Sequence, residues 1–259
     1  MGVNCTLEVG GKTAMLTINR PPLNTLSRDT LYEIEGYLDD FESNDGIRAI
    51  IITGVGDKFF SAGADVNEFA ELADPDKARS MIQRMHHLFN RIESFPKPII
   101  AAVNGRALGG GNELQMACHL AIASEAADFG LPEIKLGIIP GYGGTQRLPR
   151  LIGSRRALGL MLSGETISAK TALEYGLVNQ LVPANGFLET ALAYADQLAE
   201  GPPLAIRGIL DAVSRGMETT LDEGLQIELE HNVSIVRSED AIEGISAFFM
   251  KRKAEFKGK

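Results

Sequence analysis

The chain has 259 residues, 44% hydrophobic and 23% charged, which supplies apolar material for a sizeable core and falls in the ordinary globular range. Its 34 acidic residues outnumber 25 Lys and Arg, and the formal net charge of −9 excludes a generally basic, nucleic-acid-binding surface while leaving room for a local basic patch. Cys5 and Cys118 make neither a disulfide framework nor a metal-ligand spacing, and no apolar run is long enough to span a bilayer, so a reducing, cytoplasmic protein without a metal is expected.

Residues 6–9 and 14–19 predict a β-hairpin, because MLTIN alternates apolar and polar side chains, and Pro21 and Pro22 end it. Ser27 is an expected N-cap for an amphipathic helix through about Phe41, with Leu31, Ile34, Leu38 and Phe41 at helical spacing. Residues 48–53 predict a buried strand that leads through Gly54 and Gly56 into FSAGAD at 60–65. Helices are expected over 65–72 and 75–94; in the second, Met81, Met85 and His86 are expected as core packing or a solvent-facing stripe.

Residues 98–103 are a short apolar run bounded by Pro and Gly, expected as a strand buried on both faces. Gly109, Gly110 and Gly111 precede a helix pattern over 112–118, so unpaired N–H groups should point outward where that helix begins, a start that attracts negative charge. A strand over 119–124 follows, and Glu133 is expected on a loop after Pro132. From Leu148 the pattern is helical, with Ser168 as an N-cap and Gly176 as a stop. A short strand over 178–182 precedes four helical segments at roughly 187–200, 202–215, 220–236 and 238–253.

Several short matches carry little weight. MGVNCT fits a myristoylation pattern that matters only in hosts with the transferase. The sequons at Asn4 and Asn232 have no signal-peptide pattern ahead of them and are expected as chance. Gly11-Lys12-Thr13 resembles the end of a phosphate loop, but Thr6 stands where the first glycine belongs, and a hairpin turn is expected. The histidines, His86, His87, His119 and His231, offer no convincing serine-hydrolase triad.

Two carboxylates stand out. Glu113 lies in the first turn after the three glycines, against apolar residues 114–118, and Glu133 lies between Phe129, Leu131 and the apolar run 134–139. A lone glutamate more often complements a helix dipole or decorates a surface. Here the apolar neighbours argue for low polarity, which would raise a carboxyl pKa toward working pH.

Taken together, FSAGAD, NGRALGGGNE and FGLPEIKLGIIPGYGGTQRL closely resemble the crotonase superfamily and, within it, enoyl-CoA hydratase. The resemblance runs from RPPLNTLS at 20–27 to EGISAFFMKRKAEFK at 243–257. It implies an α/β spiral of repeated strand-strand-helix turns, with residues 1–195 as the catalytic core and 196–259 as a helical trimerisation region. It also implies an oxyanion hole made by the Ala64 and Gly110 N–H groups and catalytic roles for Glu113 and Glu133. Substrate or CoA contacts are implied at Leu26, Ala62, Asp65, Val66, Asn67, Gly141, Phe248 and Lys251.

The implied reaction is reversible addition of water across the 2-trans double bond of an enoyl-CoA thioester, in a homotrimer or homohexamer. Coenzyme A is part of the substrate, so no separate cofactor is expected, nor a nucleic-acid or membrane partner. Water addition makes the conjugated thioester oxygen enolate-like, and two preorganised N–H donors stabilise it there. A proton must also leave water and another reach carbon, which suits two carboxyl groups and needs no metal. The nearer alternative is an enoyl-CoA isomerase or another CoA enzyme of the superfamily. The alternative from another class is an RNA-binding relative, for which Lys251-Arg252-Lys253 is a short basic run.

His119 stands where the family usually carries Asp and is expected to be structural. Tyr142, in PGYGG, is bulkier than the small residue common there, and either narrows the acyl pocket or points away from it.

Overall fold

The computed structural model describes residues 3–259, with the backbone alone for residues 69–72; Gly2 of the myristoylation match lies outside the described residues. Strands β1 (Cys5–Gly10) and β2 (Thr13–Ile18) pair antiparallel around Gly11 at φ +59, so Gly11-Lys12-Thr13 is a hairpin turn. Helix α1 (Arg28–Ser43) begins where Ser27 Oγ accepts the Thr30 N–H, and it buries Leu31, Ile34, Leu38 and Phe41. Burial of such side chains stabilises by about 1.5–3 kcal/mol each, well beyond what helix propensity supplies.

Two sheets then grow together, because each turn of the chain adds a strand to each before a helix returns it. The first turn is β3 (Ala49–Gly54), β4 (Phe59–Ser61) and α2 (Pro75–Glu93). The second is β5 (Ile99–Val103), β6 (Arg106–Leu108) and α3 (Gly110–Ala117), and the third is β7 (Leu120–Ser124), β8 (Asp128–Gly130) and α4 (Gly144–Ile152). With β9 (Thr166–Ser168) and β10 (Gln180–Val182), the larger sheet has the order β1-β2-β3-β5-β7-β10 and the smaller β4-β6-β8-β9. β3, β5 and β7 pair parallel, as do β4, β6 and β8, which makes an α/β spiral of strand-strand-helix turns.

The inner strands of the larger sheet, β2, β3, β5 and β7, are buried on both faces, and their two-residue period sorts the side chains. Ile50, Ile52, Ile99, Ala101 and Ala123 join the main core with α1 and α2. Ala49, Ile51, Ile100, Ala102 and Ile122 face the other way, where α7 (Phe187–Ala199) covers them with Phe187, Ala191, Ala195 and Ala199. The chain continues through α5 (Ser154–Ser163) and α6 (Ala169–Tyr175) before α7, and through α8 (Pro203–Gly216), α9 (Leu221–Ile235) and α10 (Glu239–Met250) after it. Ser168 caps α6 and Gly176 ends it in the left-handed region, as the sequence predicts. Thr220 and Glu223 form a reciprocal capping box that starts α9. No described helix is long and apolar enough to cross a membrane.

Several boundaries differ from expectation. The expected helix over 65–72 is a 3-10 segment, Val66–Ala73. α3 begins at Gly110, two residues before the expected start, because the glycines themselves are helical and Gly109 at φ +50 is the cap. α4 starts at Gly144 and not near Leu148, behind Gly143 in the left-handed region. Glu133 is not on an open loop: it sits in a 3-10 turn, Pro132–Leu136, which Pro132 opens and left-handed Gly137 closes.

Candidate active site

The smaller sheet aims three chain segments at one place. β4 ends at Ser61 and leads into Ala62-Gly63-Ala64; its parallel neighbour β6 ends at Leu108 and leads into Gly109-Gly110; β8, next again, ends at Gly130 and leads to Glu133. Parallel pairing puts the carboxyl ends of all three strands on one edge, where ligands of α/β sheets bind.

Gly110 opens α3, so its N–H precedes the first intrahelical bond, which Glu113 N donates to Gly109 O at 2.9 Å. The Ala64 N–H donates to no acceptor among the described residues. The two amides adjoin: a Cβ on Gly110 would lie 3.3 Å from Ala64 N and 3.1 Å from the Tyr142 ring, and one on Gly63 would lie 3.0 Å from Gly110 N. Glycine at both positions keeps that space clear.

Glu113 is 2% exposed, and its Oε1 accepts the Tyr142 N–H at 2.8 Å and the Gly144 N–H at 2.7 Å. Burial pushes its pKa up to about 7; nearby Glu133 acts in the same direction, while the two N–H donors and Arg147 oppose it. Glu133 is half-buried, and its Oε1 lies where a Cβ on Gly109 would come within 2.9 Å. Its Oε2 is buried without a hydrogen-bond partner among the described residues, and burial raises its pKa as well. Both carboxyls are thus brought toward the range in which proton exchange near neutral pH is possible.

These groups line a cavity of about 1160 Å³, with Ala62, Val66, Gly141 and Tyr142 also on its wall. Tyr142 points inward: it is 7% exposed, and its ring centroid lies 5.5 Å from that of Phe89. Of the α2 residues in question, Met85 is core, whereas Met81 and His86 line the cavity, and His86 Nε2 lies 2.8 Å from Gly141 O. Of the two expected readings, core packing thus holds for Met85, while Met81 and His86 have a third place, on the cavity wall.

A model of the enoyl-CoA hydratase/isomerase family matches residues 8–259. The chain belongs to the enoyl-CoA hydratase/isomerase family. Among its relatives, a probable enoyl-CoA hydratase of Bacillus subtilis is 47% identical over 98% of this chain and 98% of the relative. A short-chain-enoyl-CoA hydratase of Clostridium acetobutylicum is 42% identical over 97% of each. The crystal structure of an enoyl-CoA hydratase from Bacillus anthracis superposes with a TM-score of 0.94 at 40% identity, covering 99% of this chain and 100% of that one.

The other residues implied by family membership are more dispersed. Leu26 is buried behind the cavity wall, where its N–H donates to Gly63 O at 2.8 Å and it bridges Ala64. Asp65 accepts from Arg20 Nη1 at 3.0 Å and from the Asn67 N–H at 3.1 Å, so Asp65 and Asn67 brace the loop beside the cavity and do not line it. Phe248 and Lys251, at the exposed end of α10, are likewise absent from the cavity of their own chain.

His119 Nδ1 accepts the Ile99 N–H at 2.9 Å, and burial lowers its pKa to about 4, so the neutral ring pins the start of β5. Burial pushes the Cys5 and Cys118 thiols up to about 12, which leaves neither poised as a nucleophile. The sequence alone does not point to the Tyr142 and Gly144 N–H groups that hold Glu113, or to Arg147, whose Nη1 donates to Tyr142 O at 3.2 Å. The only sequence signal for the two amides is the Gly-Tyr-Gly-Gly run at 141–144, since backbone donors have no residue type.

Proposed function

We propose that the protein is an enoyl-CoA hydratase that adds water to a short 2-trans-enoyl-CoA through Glu113, Glu133 and the Ala64 and Gly110 N–H groups. The observation that carries this reading is the pair of carboxyls with raised pKa beside two adjoining, unengaged amides at one sheet edge. The thioester oxygen accepts both N–H groups, which favour the negative charge that develops there. Glu113, held at one oxygen, orients a water and takes its proton as the water oxygen bonds to the β-carbon. Glu133, protonated, delivers a proton to the α-carbon, so the net change is one water added. The two carboxyls titrate as a coupled pair.

Tyr142 limits the acyl group. Its ring is packed against Phe89 and lies where any side chain on Gly110 would touch it, which supports a narrow acyl site next to the reacting carbons. In a panel of straight-chain substrates, Tyr142→Ala should raise kcat/KM for eight-carbon and longer chains relative to the four-carbon one by about 10-fold or more, since added methylenes in an apolar pocket discriminate at that scale. An unchanged chain-length profile would remove Tyr142 from substrate selection.

The C-terminal helical region acts in assembly. α8, α9 and α10 expose Ile209, Val213, Leu225, Leu229, Phe248 and Phe249, an apolar surface that an isolated chain would leave in water. Light scattering should give three or six copies of the 27.9 kDa chain; a monomer would contradict this. In such an assembly Phe248 and Lys251 serve a neighbour's cavity. Of the basic run, Arg252 pairs with Glu243 and Lys253 with Glu200. The buried thiols Cys5 and Cys118 suit the cytoplasm, which cell fractionation tests.

A further inference from the structure

We propose that Arg147 is a positioning residue for Glu113, acting through the 142–144 segment. The inference rests on the reading of Glu113 as the group that takes the proton from water. Arg147 is 8% exposed, and its guanidinium is shared among three residues. Nη1 donates to Tyr142 O at 3.2 Å, Nη2 to Asn90 Oδ1 at 2.7 Å and to Glu93 Oε2 at 2.8 Å, and Nε to the same Oε2 at 3.0 Å.

A tie between α4 and α2 would need only Asn90 and Glu93. The further bond to the Tyr142 carbonyl places the cation on the residue whose own N–H lies 2.8 Å from Glu113 Oε1. The guanidinium also fills the space beside Gly143, where an added Cβ would collide with Nη1, so the segment runs between a carboxyl on one side and a cation on the other. Gly144, next in line, gives Glu113 its second donor at 2.7 Å. Any loosening of this segment therefore reaches both hydrogen bonds that orient the catalytic carboxyl.

Charge acts along the same route. Glu113 is faced by Glu133 from the 3-10 turn, by Tyr142 from the loop and by Arg147 from α4, with Glu93 and His86 of α2 on the same cavity wall. Arg147 favours ionised Glu113, Glu133 opposes it, and Glu93 offsets Arg147. Because the Glu93 side chain is 49% exposed, water screens its negative charge more than the buried guanidinium's positive one.

The test is the pH dependence of kcat/KM for hydration in the full-length protein, wild type against Arg147→Met, Arg147→Lys and Glu93→Gln, with Glu113→Gln alongside. Arg147→Met should move the acid limb up by about half to one pH unit and lower the plateau about 10- to 100-fold, from lost charge and lost positioning respectively. Arg147→Lys should restore the limb but not the plateau, because it keeps the charge and loses the planar fork. Glu93→Gln should move the limb down. A role confined to tying helices predicts no limb shift, and that result in the folded variants would overturn the proposal, as would shifts of the same sign in Arg147→Met and Glu93→Gln. Should Arg147→Met fail to fold, Glu93→Gln decides: a downward shift supports the proposal, and an unmoved or upward limb overturns it. Full hydration by Glu113→Gln would instead sink the reading of Glu113 itself, whatever the other variants do.

Discussion

Glu133→Gln lowers kcat for hydration of a short 2-trans-enoyl-CoA by about 10²–10⁴, and Glu113→Gln does the same, while both variants still bind acyl-CoA thioesters. Glutamine keeps the size and much of the hydrogen bonding of each side chain but cannot exchange a proton. Single-turnover rates and binding of a product thioester check the two halves of this result; a fast Gln variant would remove that residue from proton transfer.

Glu113→Gln has a second signature, in stability. The folded-state pKa of Glu113 is about 7, above its unfolded value, so the native state holds this proton more tightly than the unfolded chain does. Stability from this group is therefore present below the unfolded carboxyl range and lost as pH rises to about 7. Glutamine has no proton to lose, so the variant should gain, on the order of 3 kcal/mol at most, at pH above about 7 and little in acid. Denaturant melts at acid and alkaline pH measure this, and equal differences at both would contradict it. Lost activity with gained stability is the pattern of a carboxyl buried for chemistry.

Gly110→Pro lowers kcat by about 10²–10³, the usual cost of deleting one oxyanion donor. Proline is tolerated at the first helical position, so α3 itself need not unwind. The ring also adds a Cβ, which at this position lies 3.1 Å from Tyr142, and crowding alone would lower activity. Gly110→Ala adds the same Cβ and keeps the N–H, so the donor's contribution is the ratio between the two variants. Equal rates in both would assign the loss to crowding and remove Gly110 from the oxyanion hole.

The long apolar runs were legible in the sequence because each carries its own periodicity: 98–103 is within one residue of β5, and the α1 stripe is buried as spaced. The smaller sheet was not legible. β4, β6 and β8 have three residues each, too few to show alternation, and Arg106 in β6 is exposed and charged. Yet that sheet brings Ala64, Gly110 and Glu133 together. The two glutamates stood out through their apolar neighbours. Their hydrogen-bond donors did not, because Tyr142 and Gly144 reach Glu113 through backbone N–H groups. Arg147 was hidden for a related reason: its partners Asn90 and Glu93 lie more than fifty residues upstream, so only the fold assembles them.

The most direct test of hydration by the two glutamates is the product formed from a short 2-trans-enoyl-CoA and from its 3-enoyl isomer, by wild type and by the Glu113→Gln/Glu133→Gln double variant. Wild type is expected to convert the 2-trans substrate reversibly to 3-hydroxyacyl-CoA, with loss of the conjugated absorbance and gain of one water in mass, and the double variant is not. A wild type that only shifts the 3-enoyl double bond, or a double variant that hydrates as fast as wild type, would contradict this expectation.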